Sequence, residues 1–161
     1  MVQRITHTFR PVYNSESRIL ILGTFPSVKS RENHFYYGHP RNRFWKVLAE
    51  IYENKVPETI EEKKNFLFEN RTAIWDVIKS CDIVGSSDSS ISNVEPNDLY
   101  YILENSKINH IFANGAKAHE LYYKYIYNTT RIDAIKLPST SPANASYSLS
   151  KLVGDWNIIR S

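Results

Sequence analysis

The sequence predicts an α/β domain with a mainly parallel sheet, and two observations support this fold class. Short apolar runs alternate along the chain with longer segments that carry apolar residues at helical spacing. The run at 18–23, Arg-Ile-Leu-Ile-Leu-Gly, is apolar without alternation, which is typical of a strand buried on both faces of a parallel sheet. The 161 residues correspond to one domain, 1–161, which is long enough to bury a core without disulfides or metals.

The individual elements follow from local patterns along the chain. Four apolar runs predict strands, at 18–23, 72–78, 110–113 and 134–137. Five longer segments predict helices, at 43–52, 57–69, 96–105, 116–127 and from the potential cap Ser148 onward. Ligands bind beyond the carboxyl ends of parallel strands. The functional site is therefore expected in the three segments that follow strands, at 23–42, 114–115 and 138–145.

The composition excludes several classes of protein. Cys81 is the single cysteine, which excludes an internal disulfide, a four-cysteine iron–sulfur cluster and a cysteine-based zinc site. Residues 1–13 lack the apolar core of a signal peptide, and no apolar run approaches the roughly 20 residues that span a membrane. The chain is therefore expected to be cytoplasmic. Its net charge of +3 is mildly basic.

Cations and aromatic side chains are concentrated in one segment, 29–46. Its cations, against the single acid Glu32, are Lys29, Arg31, Arg41, Arg43 and Lys46. Its aromatic residues are Phe35, Tyr36, Tyr37, Phe44 and Trp45. Cations bind phosphates and aromatic faces stack on unpaired bases, so the segment predicts nucleic-acid binding. Phe44 and Trp45 lie at helical spacing and are expected in the core, whereas Tyr36 and Tyr37 precede the helix and are expected in the site.

The loop at 23–30 nearly matches the phosphate-binding pattern G-x-x-x-x-G-K-[ST]. Val28 stands where that pattern has its second glycine, and Pro26 has no N–H to offer a phosphate. A nucleoside triphosphate site is therefore not expected. The N–H groups of a Gly-x-x-Pro turn are better suited to an oxygen on a planar base.

Asn42 has two interpretations, and its residue type and position leave both open. It directly precedes an apolar-periodic helix, which is the position of an N-cap. It also lies in the segment expected to bind nucleic acid, where its nonbasic amide is suited to position water or donate a hydrogen bond. Nearby His39 has no second His or acid at metal-ligand spacing, so no metal site is expected.

Three motifs resemble the uracil-DNA glycosylase superfamily, and most closely its hypoxanthine-DNA (deoxyinosine) glycosylase branch. They are Gly-Thr-Phe-Pro-Ser at 23–27, Tyr-Tyr-Gly-His-Pro-Arg-Asn-Arg-Phe-Trp at 36–45 and Leu-Pro-Ser-Thr-Ser-Pro-Ala-Asn at 137–144. The resemblance covers 18–156 and implies a three-layer α/β/α sandwich around a short four-stranded parallel sheet. It also implies an enzyme that removes a deaminated base from double-stranded DNA. Lys29 and Lys117 could in principle attack the abasic sugar, but most surface lysines are solvated, so a monofunctional enzyme is expected, and no cofactor is expected. A monomer is expected.

The resemblance also assigns roles to individual residues. The base pocket would be lined by Gly23, Thr24, Phe25, Pro26 and Ser27. Tyr37 matches the aromatic ring that stacks on the flipped base, and Asn42 matches the asparagine implicated in catalysis in the deoxyinosine branch. Asn114 would lie at the pocket floor, either in a structural role or in contact with the base. DNA contacts are expected from Lys29, Arg41, Arg43, Ser139, Thr140, Ser141, Pro142 and Asn144.

Two departures from the superfamily bear on the identity of the base. Uracil-excising relatives carry Asp or Asn where this chain has Phe25, and the classical uracil enzymes carry His where it has Leu137. The resemblance therefore favours hypoxanthine over uracil. A uracil- or mismatch-specific glycosylase of the same superfamily is an alternative. A single-stranded nucleic-acid binding module is an alternative from another class, because the basic and aromatic segment would serve it equally well.

Overall fold

The computed structural model describes residues 1–7 and 9–160, which form seven strands and seven α-helices. The strands are β1 (Gln3–Thr6), β2 (Ile19–Gly23), β3 (Thr72–Asp76), β4 (Ile78–Ile83), β5 (Ser92–Pro96), β6 (His110–Asn114) and β7 (Ala134–Leu137). The helices are α1 (Val28–Asn33), α2 (Phe44–Ile51), α3 (Ile60–Glu69), α4 (Tyr100–Glu104), α5 (Ala116–Tyr125), α6 (Tyr127–Thr130) and α7 (Leu149–Trp156). Short 3₁₀ turns lie at Asp88–Ser90 and Asn157–Arg160.

Helices cover both faces of a four-stranded parallel sheet with the order β3-β2-β6-β7, which confirms the expected three-layer α/β/α sandwich. Successive side chains of a strand point to opposite faces. Ile21, Ile74 and Phe112 pack on one face against α2, α3 and α7. Leu20 and Leu22 pack on the other face against α4 and α5. Both faces of β2 are therefore buried, as its uninterrupted apolar run predicts.

A second sheet, antiparallel and with the order β1-β4-β5, was not expected from the sequence. The strands β1 and β5 are largely exposed and have polar sequences without apolar alternation, so no local pattern marks them. The strand predicted at 72–78 is confirmed as β3 over Thr72–Asp76, but its predicted end is wrong. The chain leaves the parallel sheet after Asp76, and β4 pairs instead with β1 and β5.

The helix predictions are confirmed in most cases, with shifts at their ends. Helix α3 begins later than expected because Thr59 caps it: the Thr59 hydroxyl accepts from Glu62 N–H, and the Glu62 carboxylate accepts from Thr59 N–H. Ser148 caps α7 as expected. The helix expected at 96–105 is shorter, because Pro96 belongs to β5. Among the described residues, no helix has both the length and the apolar character to cross a membrane.

Candidate active site

A cavity of about 510 Å³ lies at the carboxyl ends of the parallel strands, within the size range of ligand pockets. The three segments that the sequence indicated all contribute to its wall. They supply Gly23, Thr24, Phe25, Pro26, Ser27, Tyr37, Asn42, Asn114, Ser139, Thr140, Ser141 and Pro142. Loops after β2, β6 and β7 thus bring together residues that are far apart in the sequence, because parallel strands end at a common edge.

The orientation of the Asn42 side chain follows from its partners. Its Oδ1 accepts hydrogen bonds from Phe44 N–H at 2.9 Å and from the Thr140 hydroxyl at 2.8 Å. A backbone N–H only donates, so the amide atom that faces it is the oxygen. The Asn42 Nδ2 is left to donate elsewhere, and among the described residues none accepts from it. The N-cap position of α2 is Arg43, one residue later than the sequence suggests, and its side chain makes no capping hydrogen bond. Asn42 binds the N–H of the first helical residue with one amide atom and lines the cavity wall.

Thr140 is fully buried and connects Asn42 to the end of β6. Its N–H donates to Asn114 Oδ1 at 3.1 Å, and its hydroxyl accepts from Asn114 Nδ2 at 3.0 Å. This corrects the expectation that the Thr140 side chain contacts DNA, because no part of it is exposed. Both polar atoms of Asn114 are engaged in the same pairing, which favours the structural role of that residue.

Arg43 holds the loop that follows β7. Its guanidinium donates to the carbonyl oxygens of Ser141 and Asn144, each at 3.0 Å, and to that of Tyr147. Its backbone N–H donates to the carbonyl of Thr140. The structure thus gives Arg43 a role inside the protein that the sequence did not indicate.

Both aromatic residues at 36–37 contribute to the cavity wall, as expected. Tyr36 is 2% exposed and its hydroxyl donates to the Arg10 carbonyl, so most of its ring also belongs to the core. The Tyr37 ring stacks on Phe44 with centroids 3.9 Å apart and planes 13° from parallel. It also lines the cavity, with a positive φ of 54° that turns the chain at this point.

The Tyr37 hydroxyl is buried, and among the described residues no group forms a well-oriented hydrogen bond with it. Burial raises the pKa of Tyr37 far above its usual value, and the nearby Asp76 carboxylate raises it further. The side chain of Asn114 offsets only part of this rise in pKa. The hydroxyl is therefore protonated at neutral pH and remains available as a donor.

Asp76 is a buried carboxylate in the cavity wall that was not predicted from the sequence. It is the last residue of β3 and pairs in register with Gly23, so the two residues project to the same face of the sheet. Its Oδ2 lies 2.8 Å from Nε2 of the buried His7. In the sequence, Asp76 is marked only by being the single acid within the apolar run at 73–78. No local signal marks His7.

The serine-rich stretch at 85–91, expected to be a loop, contributes residues 86–89 to the wall of the cavity. Contacts to α1 hold it in place: Val28 N–H donates to the Ser86 hydroxyl, and Arg31 donates to the Gly85 carbonyl. Partial desolvation raises the pKa of Asp88 in this loop; Lys117 opposes that rise and Asp76 adds to it.

The remaining predicted cations lie outside the cavity. Arg41 and Lys29 are exposed, and the Lys29 ammonium lies 3.8 Å from the Glu32 carboxylate. Asn144 donates from its amide to the Ser139 carbonyl, so it shapes the loop at 139–144. Across residues 1–7 and 9–160, no three His, Cys, Asp or Glu side chains are placed to share a metal ion.

The chain is similar to known proteins over nearly its full length. The sequence model of the Uracil DNA glycosylase superfamily matches residues 10–158. A Methanosarcina acetivorans protein named hypoxanthine DNA glycosylase is 35% identical over 157 residues, which are 96% of this chain and 98% of that protein. A protein of the same name from Methanosarcina barkeri is 33% identical over 140 residues, 84% of this chain and 86% of that protein.

The fold has a solved counterpart as well. A solution NMR structure of a Methanosarcina acetivorans protein, provisionally assigned as a uracil DNA glycosylase, superposes with a TM-score of 0.80 at 31% identity, and both chains are covered in full. The family match spans all four strands of the parallel sheet and every segment of the cavity from β2 onward. This chain therefore belongs to the uracil DNA glycosylase superfamily.

Proposed function

We propose that this chain is a monofunctional DNA glycosylase that releases hypoxanthine from double-stranded DNA and leaves an abasic site. The two curated relatives, at 33–35% identity, carry the name hypoxanthine DNA glycosylase. The cavity of about 510 Å³ at the ends of the parallel strands is of a size that holds one small ligand, which suits a single flipped base.

Base flipping precedes the chemistry in this proposal. A base stacked inside a duplex cannot reach the end of a cavity, so the nucleotide must rotate out at a cost of a few kcal/mol. A deaminated base pairs poorly, which lowers that cost and contributes to selection. The face of Tyr37 opposite Phe44 is the platform on which the flipped base stacks.

The observation that carries the proposal is the orientation of the Asn42 amide. Hydrolysis breaks the bond between C1′ and the base nitrogen, the base leaves with the electron pair, and a water oxygen bonds to C1′. Negative charge therefore develops on the departing base. The free Nδ2 of Asn42, fixed by the two hydrogen bonds that its Oδ1 accepts, donates to that base. A donor oriented before the reaction stabilises such charge without reorganisation.

Phosphate contacts come from exposed cations beside the cavity, Arg41 and Lys29, and from the loop at 139–144 that Arg43 holds. Ser139, Ser141, Pro142 and Asn144 are partly exposed in that loop and approach the duplex. These contacts position the nucleotide and are independent of its sequence.

The test compares wild type with Asn42→Asp and Asn42→Ala in single-turnover release of hypoxanthine, uracil and xanthine from matched duplexes. Asp keeps an oxygen to accept from Phe44 N–H and from the Thr140 hydroxyl, but it has no N–H to donate. We expect Asn42→Asp to melt near the wild-type temperature and to lose at least about a hundredfold in hypoxanthine release. Asn42→Ala should lose both activity and about 1 kcal/mol of stability. An active Asn42→Asp enzyme would refute the assignment.

Uracil is the second candidate base, because the solved relative is provisionally assigned to the uracil enzymes. Faster release of uracil than of hypoxanthine from the same duplex context would select it. Tight DNA binding by wild type without release of any base would favour a binding module instead. Because the mechanism uses no metal, the rate in chelator should equal the rate without it, and a rate restored only by a divalent ion would contradict the mechanism.

A further inference from the structure

A second cavity, of about 440 Å³, is not used by the chemistry described so far. It lies where the segment 9–13 meets the end of α1 and helix α3, and Tyr36 lines both this cavity and the one at the strand ends. Its described lining residues include five aromatic and three basic side chains and no acidic one. The basic residues are Arg10, His34 and Lys64, and the partly exposed aromatic residues are Phe9, Tyr13 and Phe68.

The three basic side chains have no partner within the described part of the chain. Arg10, His34 and Lys64 are all exposed, and none of their side chains forms an ion pair or a hydrogen bond with a described residue. The Lys64 ammonium lies 6.0 Å from the centroid of the Phe35 ring, which belongs to the cavity wall. Unpaired cations gathered at one cavity are suited to bind the phosphates of a nucleic acid.

Another cavity of the molecule has the opposite charge. It has a volume of about 610 Å³ and lies between α4 and the ends of α5 and α6. Asp98 and Glu104 line it, and its described lining residues include no Lys, Arg or His. Tyr100 in its wall is 65% exposed. This acidic cavity therefore provides a matched control for the basic one.

The second cavity is already formed in the folded chain, because hydrogen bonds fix its backbone. The Tyr36 hydroxyl donates to the Arg10 carbonyl at 2.8 Å, and the Trp75 ring N–H donates to the Phe9 carbonyl at 3.3 Å. Val12 exchanges two backbone hydrogen bonds with β3, each at 3.0 Å. A ligand therefore binds without first ordering this segment, which lowers the entropic cost of binding.

Two of the aromatic rings in this cavity are open to stacking. Tyr13 and Phe68 are partly exposed, and among the described residues no other aromatic ring packs against either of them. Phe35, in contrast, stacks on Trp45 with ring planes 15° apart and is buried. The rings of Tyr13 and Phe68 are therefore the ones that can take a planar group as a stacking partner.

We propose that the second cavity binds an unpaired nucleotide of a DNA strand, with its phosphate on the three basic side chains and its base against the ring of Phe68. Proteins that bind single strands combine these two kinds of contact, whereas a paired duplex keeps its base faces stacked. Because Tyr36 lines both cavities, one strand can occupy the two, which favours a strand over a free nucleotide. The proposal rests on the proposed function for the choice of DNA, and it adds a contact outside the cavity that takes the damaged base.

The first test compares ligands on the wild-type protein. Fluorescence anisotropy measures binding of a labelled oligothymidine of about eight nucleotides, which contains no damaged base. The competitors are an oligomer of the same length with abasic sugars throughout and free thymidine 5′-monophosphate. We expect the abasic oligomer to bind at least about fivefold more weakly, because it has no base to stack. Equal binding of the abasic oligomer, or tighter binding of the free nucleotide, would overturn the proposal.

The second test reverses the charge of the cavity. Arg10→Glu and Lys64→Glu should each weaken binding of the oligothymidine by at least about tenfold, because each puts a carboxylate where a phosphate is held. Lys55→Glu makes the same charge change at an exposed position outside the cavity and should weaken binding much less. Equal losses in all three variants would show only a general effect of charge and would overturn the site.

The third test addresses the stacking ring. Phe68→Leu keeps an apolar side chain for the core but removes the aromatic face, and we expect it to weaken binding by at least about fivefold. Phe68→Tyr should bind like wild type. Tyr100→Leu, in the acidic cavity, is the control and should also bind like wild type. Thermal melts establish that each variant is folded, and unchanged binding by a folded Phe68→Leu variant would overturn the proposal.

Failure of this proposal and failure of the proposed function give different results. If wild type released hypoxanthine but Lys64→Glu and Phe68→Leu bound the oligothymidine like wild type, the function would stand and the second site would fall. If wild type released no base from any duplex but both variants lost oligothymidine binding, the second site would stand and the enzymatic function would fall.

Discussion

Gly23 shows how a single missing side chain defines the cavity. It ends β2 beside Asp76, in register with it, and the space that a Cβ would occupy is already filled by the Asp76 and Tyr37 oxygens. Gly154 provides the contrast, because it lies in α7 with no atom within 4 Å of an added Cβ. Substitution by alanine is therefore expected to have opposite effects on stability at Gly23 and at Gly154.

We expect Gly23→Ala to lower the free energy of unfolding by about 1–3 kcal/mol, since an added carbon in a filled space forces its neighbours to move. Base release should fall by about a hundredfold or more, because a shift of Asp76 and Tyr37 changes the wall of the cavity proposed to hold the base. Gly154→Ala should raise stability by up to about 1 kcal/mol, since alanine favours the helix, and leave activity unchanged. Thermal melts and single-turnover release measure both variants, and a fully active Gly23→Ala enzyme would contradict this role of Gly23.

At the scale of elements, the loop at 139–147 depends on one arginine from the start of α2. The guanidinium of Arg43 donates to three of its carbonyls, and Thr140 within it joins Asn42 to Asn114. The loop proposed to approach DNA and the residue proposed to act on the base are therefore parts of one hydrogen-bonded unit.

The hydrogen bonds of the Arg43 guanidinium predict different results for Arg43 and Arg41, although the sequence suggested DNA contacts for both. Arg43→Lys keeps the charge but cannot reach three carbonyls with one ammonium, so stability should fall by about 1.5–3 kcal/mol and base release should fall with it. Arg41→Lys, at an exposed position, should change neither. Denaturant melts and single-turnover release measure both variants. Equal behaviour of the two lysine variants would show that Arg43 does not hold the loop.

Helix α3 carries a pH-dependent cap that is separate from the site. Backbone N–H groups of Glu58 and Thr59 donate to the exposed Glu62 carboxylate and lower its pKa. The pKa of Glu62 is therefore lower in the folded protein than in the unfolded chain, where it is near 4.5. The ionised carboxylate stabilises the fold fully above that unfolded-state pKa. This contribution is lost as the pH falls through the pKa of the folded state.

Glu62→Gln should therefore lower the melting temperature at pH 7 and have a smaller effect at pH 3, where the wild-type carboxylate is protonated as well. Base release at pH 7 should be unchanged, because Glu62 is on α3 and does not line the cavity. Melts of both proteins across pH 3–7 test this. A difference in melting temperature that grows as the pH falls would contradict the sign of the pKa shift.

At the scale of the whole molecule, a net charge of +3 is distributed unevenly. Lys29 and Arg41 are exposed and each is next in the sequence to a residue that lines the cavity, while Asp76 and Asp88 are part of the cavity wall. We expect the DNA phosphates to be attracted to these exposed cations.

The affinity for duplex DNA should fall steeply with salt, since each phosphate that is neutralised releases counterions. Arg41→Ala should reduce the slope of log affinity against log salt by about 0.9, the value for one phosphate contact. Lys55→Ala, a change of the same charge in the loop between α2 and α3, is the matched control and should leave the slope closer to wild type. Fluorescence anisotropy across a salt series measures these slopes, and a flat dependence for wild type would exclude phosphate tracking.

Local patterns in the sequence are sufficient to predict the fold class, the four parallel strands and the edge of the sheet that carries the cavity. These features follow from burial, and burial is recorded locally as apolar runs and helical spacing. The motifs at 23–27, 36–45 and 137–144 are likewise sufficient to indicate the family. For Asn42 the sequence left two roles open, and the geometry shows that Oδ1 accepts from the N–H of the first residue of α2, although the N-cap position itself is Arg43.

The remaining features of the site depend on hydrogen bonds between residues that are distant in the chain, so they follow from the tertiary structure alone. His7 and Asp76 are 69 residues apart, and no local pattern after the polar strand β1 indicates that His7 contacts Asp76. Arg43 has the sequence context of a DNA contact, but two of its carbonyl partners lie 98 and 101 residues away in the chain. The periodicity of a sequence records which face of an element is buried, whereas the partner of a buried polar atom is set by how elements pack against one another.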